Sequence, residues 1–277
     1  MAAPAPASRK HLSIAGLLRT ARSCFEGVPD TRRAASVRFS LPDTLMAALA
    51  MFQFKCASLL RFDEAARDAD DTVLIGNLER LYHLDAVPSD TQMREILDTV
   101  PPQALRTAFR AVIGECQRGG VLEDFKFIEE RLLVSIDGTG LFSSSTVHCP
   151  QCGVRKVRRG SDKIEYYHQM LVAAIVSPDR KTVLPLDFEP IVQSDGDTKD
   201  LSEHNSARRL IVSLAAQYPK LKRRFLVIED ALSANGPHVR QLAEHGIDFL
   251  IGVRQSGSPF LFDAFDARRD DPDALTE

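Results

Sequence analysis

Residues Arg131 to Phe142 read RLLVSIDGTGLF. Four of the five residues from Leu132 to Ile136 are apolar, and the run stops at Asp137-Gly138-Thr139. A short apolar run closed by a turn signal predicts a buried strand. The first polar residue past that strand is a carboxylate, placed where the backbone is expected to leave the sheet. Phe225 to Ala231 (FLVIEDA) repeats the pattern and delivers Asp230. Strand ends of this kind are where α/β folds place their chemistry, so Asp137 and Asp230 are candidates for one shared site. Capping of a turn or helix is the competing reading for each.

Outward from this stretch, apolar runs recur at Tyr166–Val176, Thr182–Val192 and Ile247–Val253. Ser177-Pro178-Asp179 predicts a hairpin between the first two. Leu201, Ala207, Leu210, Ile211, Leu214 and Ala215 share one face of a predicted helix before the FLVIEDA strand. Asn235-Gly236-Pro237 opens a shorter helix, with Val239, Leu242 and Ala243 inward and Gly246 at its end. Three strands, a helix, a strand, a helix and a strand form a meander followed by crossovers. This is a ribonuclease-H-like mixed sheet, α/β in class, and it sets Asp137 beside Asp230.

Upstream of residue 130 there is no strand-like alternation. Ser40-Leu41-Pro42-Asp43 starts a helix. NLERLYHL predicts a second, and Ser89-Asp90 caps a third that Pro101-Pro102 stops. Ala104 to Glu115 predicts a fourth. The expected organisation is a flexible basic N-terminus (1–30), with at most a turn or two of amphipathic helix, then a helical region (31–128). An α/β domain (129–277) follows.

The chain has 277 residues, 44% hydrophobic and 26% charged, as a soluble globular protein does. No apolar run reaches the roughly 18 residues a membrane span needs, and the opening MAAPAPASRK lacks the apolar core of a secretory signal. Five cysteines, an odd number, argue against a disulfide framework and for a reducing cytoplasm. The net charge of −3 announces no global nucleic-acid affinity, but basic residues cluster in 1–40 and in Arg155–Lys163. Within the second cluster Lys156, Arg158 and Arg159 suit DNA phosphate, the alternative being a solvated face.

Two aspartates at neighbouring strand ends suit Mg²⁺ or Mn²⁺, hard cations that take carboxylate oxygen, and such sites serve phosphoryl displacement. Cys149 and Cys152, in HCPQC, are half of a zinc site that needs further ligands. His148 and His168 are the candidates, although His148 is next to Cys149 and His168 reads equally as a core residue. Reduced thiols in a turn are the alternative.

Several separated motifs, IDGTGLFSS, HCPQC, YYHQMLVAAIVSP, KDLSEHNSARRL and IEDALSANGP, together resemble the catalytic domain of DDE-type transposases of bacterial insertion sequences. SLPDTLMAALAMFQFKCASLLRFDE and VPSDTQMREILDTVPP resemble that family's N-terminal helical region, which implies DNA-end binding or assembly as the role of residues 31–128. The resemblance covers about residues 40 to 255. It implies that Asp137 and Asp230 are the first two acids of the DDE triad and that Mg²⁺ or Mn²⁺ is the cofactor. Transposon ends and target DNA would be the partners, and another transposase copy would complete a homo-oligomer in the cytoplasm or on the nucleoid. Lys199, Glu203, Asn205 and Arg208 match the family's polar stretch, as DNA-orienting or site-supporting residues or as an ordinary solvent face. The family's third acid, a glutamate on a later helix, has no counterpart in the tail DAFDARRDDPDALTE. The expectation is therefore a C-terminally truncated transposase, inactive alone, with a non-catalytic DNA-binding inhibitor or a stand-alone nuclease as alternatives.

Overall fold

A computed structural model describes residues 10–157, 162–192 and 199–269. The chain divides into two compact units, Met1–Asp124 and Phe125–Glu277.

The first unit is helical throughout its described residues. It contains α1 (Ile14–Glu26), α2 (Leu41–Gln53), α3 (Leu59–Arg67), α4 (Thr72–Tyr82), α5 (Asp90–Leu97) and α6 (Arg106–Arg118). Side-chain caps start several of these helices. Ser40 accepts from the Asp43 N–H at the head of α2, with Pro42 in the first turn. Ser89 and Gln92 form a reciprocal capping box on α5. Leu41, Met46, Phe62 and Met93 meet in a core that also takes Leu18 and Phe25 from α1.

Two features of this unit depart from the sequence expectation. The supposedly loose N-terminus contains α1, thirteen residues long, with Leu18, Ala21 and Phe25 buried. Ser13 caps it by accepting from the Gly16 N–H. Helix α3 was not expected at all. Leu59, Phe62 and Ala66 recur along LLRFDEAAR at helical steps, but the segment is only nine residues long and Phe62 is its one buried side chain.

The second unit carries a six-stranded mixed sheet: β1 (Leu132–Ser144), β2 (Gly153–Lys156), β3 (Ile164–Ser177), β4 (Arg180–Ile191), β5 (Phe225–Glu229) and β6 (Asp248–Ile251). The architecture is the expected α/β one. β3 lies antiparallel to β1 along one edge, and its other edge takes β2 and β4 in succession. β1, β5 and β6 run parallel. The two-residue connection at Pro178-Asp179 closes the β3–β4 hairpin as its turn signal required.

Helix α7 (Lys199–Gln217) links β4 to β5 and packs on β3 and β4. Ala207, Leu210, Ile211 and Leu214 are buried along it. Its polar residues also grip the sheet: the buried Asp187 carboxylate accepts from Ser213 Oγ at 2.6 Å and Gln217 Nε2 at 2.7 Å. Arg209 pairs with the buried Glu189 at 2.6 Å. Such buried carboxylates are stable only because they are paired.

Helix α8 (Gly236–Glu244) links β5 to β6, capped by Asn235. Gly246, at φ +64°, supplies the left-handed residue that ends it. Its inward face is His238 and Leu242; Ala243, expected inward, is exposed. After β6 comes α9 (Pro259–Asp266), which ends four residues into the tail that begins at Asp263, with Phe260, Leu261 and Phe265 exposed.

The largest correction concerns the opening stretch. β1 does not stop at Asp137. It continues to Ser144, hydrogen-bonded to β3, with a bulge between Gly140 and Phe142. The glycine-rich polar continuation reads locally as a turn, and pairing with the long β3 overrides it.

Candidate functional site: a carboxylate cleft

The chemistry of Asp137 follows from which neighbour stops, since its own strand does not. β1 and β5 pair in parallel from Leu132↔Phe225 to Ser135↔Ile228, and then β5 ends. Two residues beyond the last pair, β1 reaches Asp137 and the β5 chain reaches Asp230. Asp137 is still held by β3, opposite Val172. Its side chain is exposed because the parallel partner has turned away.

Asp230 turns that corner. Its Oδ1 accepts from the Leu232 N–H at 2.9 Å and starts a short 3-10 turn over Ala231–Ser233. Asp137 Oδ1 accepts from the Gly138 N–H at 2.7 Å. Each aspartate thus uses one oxygen locally, in the capping manner.

The two line a single small cleft with Glu203, His204, Glu229 and His238. Ile136 and Leu171 line it from the sheet, and Ala207 from α7. Four carboxylates line this one cleft, and no Lys or Arg is among the described residues that line it, a lining that favours a cation.

Its wall is braced from behind. Glu229 and His238 form a buried pair, Oε2 to Nε2 at 2.6 Å, and Ser233 Oγ donates to Glu229 Oε1 at 3.1 Å. His204 Nε2 donates to the Leu232 carbonyl at 3.1 Å. These bonds tie the loop after Asp230 to both α7 and α8. Sequence reading left His238 without a partner and did not single out Glu229. A histidine on the helix that follows an Ile-Glu-Asp strand end is the signal that pointed there.

The remaining candidates lie elsewhere in this unit. Lys156, at the end of β2, and Arg208, on α7, are exposed. Arg158, Arg159 and the side chain of Lys199 lie outside the described residues. Arg155 is not available to DNA in the same way, since it pairs with Glu165 and lies over the Tyr167 ring.

Cys149 and Cys152 come together with His168, whose Nε2 is 3.3 Å from each sulfur. His148 does not join them. Its ring stacks on Tyr166 with centroids 4.2 Å apart. Among the described residues this is the one group of three or more potential metal ligands whose donor atoms all lie within 4.8 Å of one another. The cleft carboxylates are more widely spread.

Comparison with known proteins gives three findings. No curated protein matches the chain. Among solved structures, a piggyBac transposase synaptic complex with hairpin DNA is similar over 87% of this chain, at 15% identity and a TM-score of 0.35. The chain spans 48% of that transposase, and a likeness this slight assigns neither fold nor chemistry. Residues 22–113, from within α1 to within α6, match the family described as DDE_Tnp_1-associated, and this is the family to which the helical unit is similar.

Proposed function

We propose that the protein acts on DNA as a transposase-type phosphodiester-cleaving protein, with Asp137 and Asp230 as its catalytic carboxylates. The observation that carries this reading is the β1–β5 register, which sets both aspartates on one cleft two residues past the last strand pair. The strand order, β4 and β2 beside β3, then β1, β5 and β6, supports reading the sheet as ribonuclease-H-like. The DDE_Tnp_1-associated match in the helical unit supports the same assignment.

The residues fit a divalent cation of the Mg²⁺ or Mn²⁺ kind. Every charged donor lining the cleft other than its two histidines is a carboxylate, and Asp137 and Asp230 are both exposed at its mouth. A bound Mg²⁺ would supply stabilisation of the charge that develops on phosphate oxygen. The chain's own residues do the positioning. Asp137 is fixed by the β3 ladder, and Asp230 by its Leu232 bond and by the Glu229–His238 brace beneath it. Glu203, on α7, is the further carboxylate of the cleft. Exposed Lys156 and Arg208 offer cationic contacts for DNA phosphates.

A second reading is a non-catalytic DNA-binding protein that associates with transposon ends or with another transposase. It is favoured by the local capping bond on each aspartate and by the wide spacing of the cleft carboxylates. A cleavage assay on duplex DNA with Mg²⁺ or Mn²⁺ separates the two. Cleavage that disappears in Asp137→Asn and Asp230→Asn, with DNA binding retained, supports catalysis. Cleavage unaffected by both substitutions refutes the site, and DNA binding without any cleavage by the unaltered chain favours the second reading.

A further inference from the structure

We propose that Cys149, Cys152 and His168 form a zinc site that clips the loop between β1 and β2 onto β3. The site is independent of the carboxylate cleft, and it is built by strand register. Gly153 pairs with Tyr167 and Phe142 pairs with His168, so the loop between them must close over the His168 side chain. Cys152 is the last residue before β2, and the Cys152 N–H donates to the Cys149 carbonyl in the turn that joins the two cysteines.

The spacing of the three donors is that of a tetrahedral shell. Zinc holds thiolate at about 2.3 Å and imidazole nitrogen at about 2.0–2.1 Å. At the tetrahedral angle two such sulfurs lie about 3.8 Å apart, and sulfur and nitrogen about 3.5 Å apart. The sulfurs here are 3.8 Å apart, and each is 3.3 Å from His168 Nε2. A disulfide would instead need about 2.05 Å.

The surroundings suit thiolates. The Cys149 N–H points at Cys152 Sγ at 3.2 Å, and the Gln151 N–H at Cys149 Sγ at 3.4 Å, both stabilising negative sulfur. Cys152 is buried and Cys149 exposed, so three protein donors leave a fourth position open to a water molecule. Binding releases the two thiol protons to solvent. Close approach matters as well: a Cβ at Gly153, the first residue of β2, would come within 2.6 Å of the Tyr167 ring, so a larger residue there would displace that ring.

Soft sulfur and imidazole select zinc over Mg²⁺. The metal would hold β2, and with it Lys156, on the edge of the sheet. The test uses the full chain purified without chelator from zinc-supplemented medium. Elemental analysis is expected to find one zinc per chain. Cobalt substitution is expected to give thiolate-to-metal charge-transfer absorption. Cys149→Ser and Cys152→Ser should lose the zinc, whereas His168→Cys should keep it with a red-shifted cobalt spectrum. If the serine variants do not fold, mercurial titration of the unaltered chain serves instead, with zinc release tracking two thiols. Folded, unaltered protein without stoichiometric zinc, whether its two thiols titrate freely or form a Cys149–Cys152 disulfide, would overturn the proposal.

Discussion

Glu229 and Asp230 are adjacent in sequence and do opposite things. The side chain of Glu229, 2% exposed, pairs with His238 in the wall of the cleft, while Asp230 is exposed at its mouth. Successive residues at a strand end point to opposite sides, so one carboxylate braces the wall that the other projects from. Removing one partner of a buried pair leaves the other unsatisfied, at a cost of about 1–3 kcal/mol. His238→Ala is therefore expected to lower unfolding free energy by about that much in a denaturant titration, and to cleave DNA more weakly than the unaltered chain by loosening the loop after Asp230. Among the sequence's candidates, Asp137 stands out as the residue that ends one apolar run, and Asp230 as the second of two carboxylates that end another. His168 was a candidate ligand that read equally as one more core position of YYHQMLVAAIV, and only the strand pairing sets the thiols against it.

At the level of elements, caps and turns were readable and lengths were not. Ser40, Ser89, Asn235 and the Pro178-Asp179 turn all act where their local chemistry demands. Ser89→Ala should cost about 1 kcal/mol, the usual value of a lost N-cap, measurable as a shift in the unfolding midpoint. Phe62→Ala should cost about 3–5 kcal/mol, because a fully buried ring leaves a cavity. A short solitary strand such as β2 has no periodic signature, and it is held by pairing to β3, including the cross-strand Arg155–Glu165 bond at 2.6 Å. The Arg155 guanidinium, and after it Ser143, hold the Glu165 carboxyl below its ordinary 4.5. A carboxyl depressed in the folded state contributes its stability above the ordinary value and loses it as pH falls through the lowered one. Protection of the amides of residues 153–156, taken as exchange relative to the intrinsic rate at each pH, should therefore fall as the solution is acidified below about pH 4, a window set by ordinary glutamate titration, and Arg155→Ala should remove that pH dependence.

For the whole molecule, a net charge of −3 means that any DNA affinity is a local property of exposed basic residues such as Lys156 and Arg208. Lys156→Ala should weaken binding evenly across DNA sequences and reduce the salt slope of binding by roughly one. Equal salt slopes for the two proteins would remove Lys156 from the contact. Among the described residues no helix is long and apolar enough to cross a membrane. The sequence by itself determined the elements whose signals are local: capped helices ahead of residue 130, apolar strands after it, and an aspartate after each of two of them. Only the tertiary structure decided that β1 runs on past Asp137 while β5 stops at Glu229. A strand ends where its neighbour's hydrogen bonds end, and that neighbour lies far away in sequence. The same long-range pairing turned Cys149, Cys152 and His168 from scattered residues into one cluster.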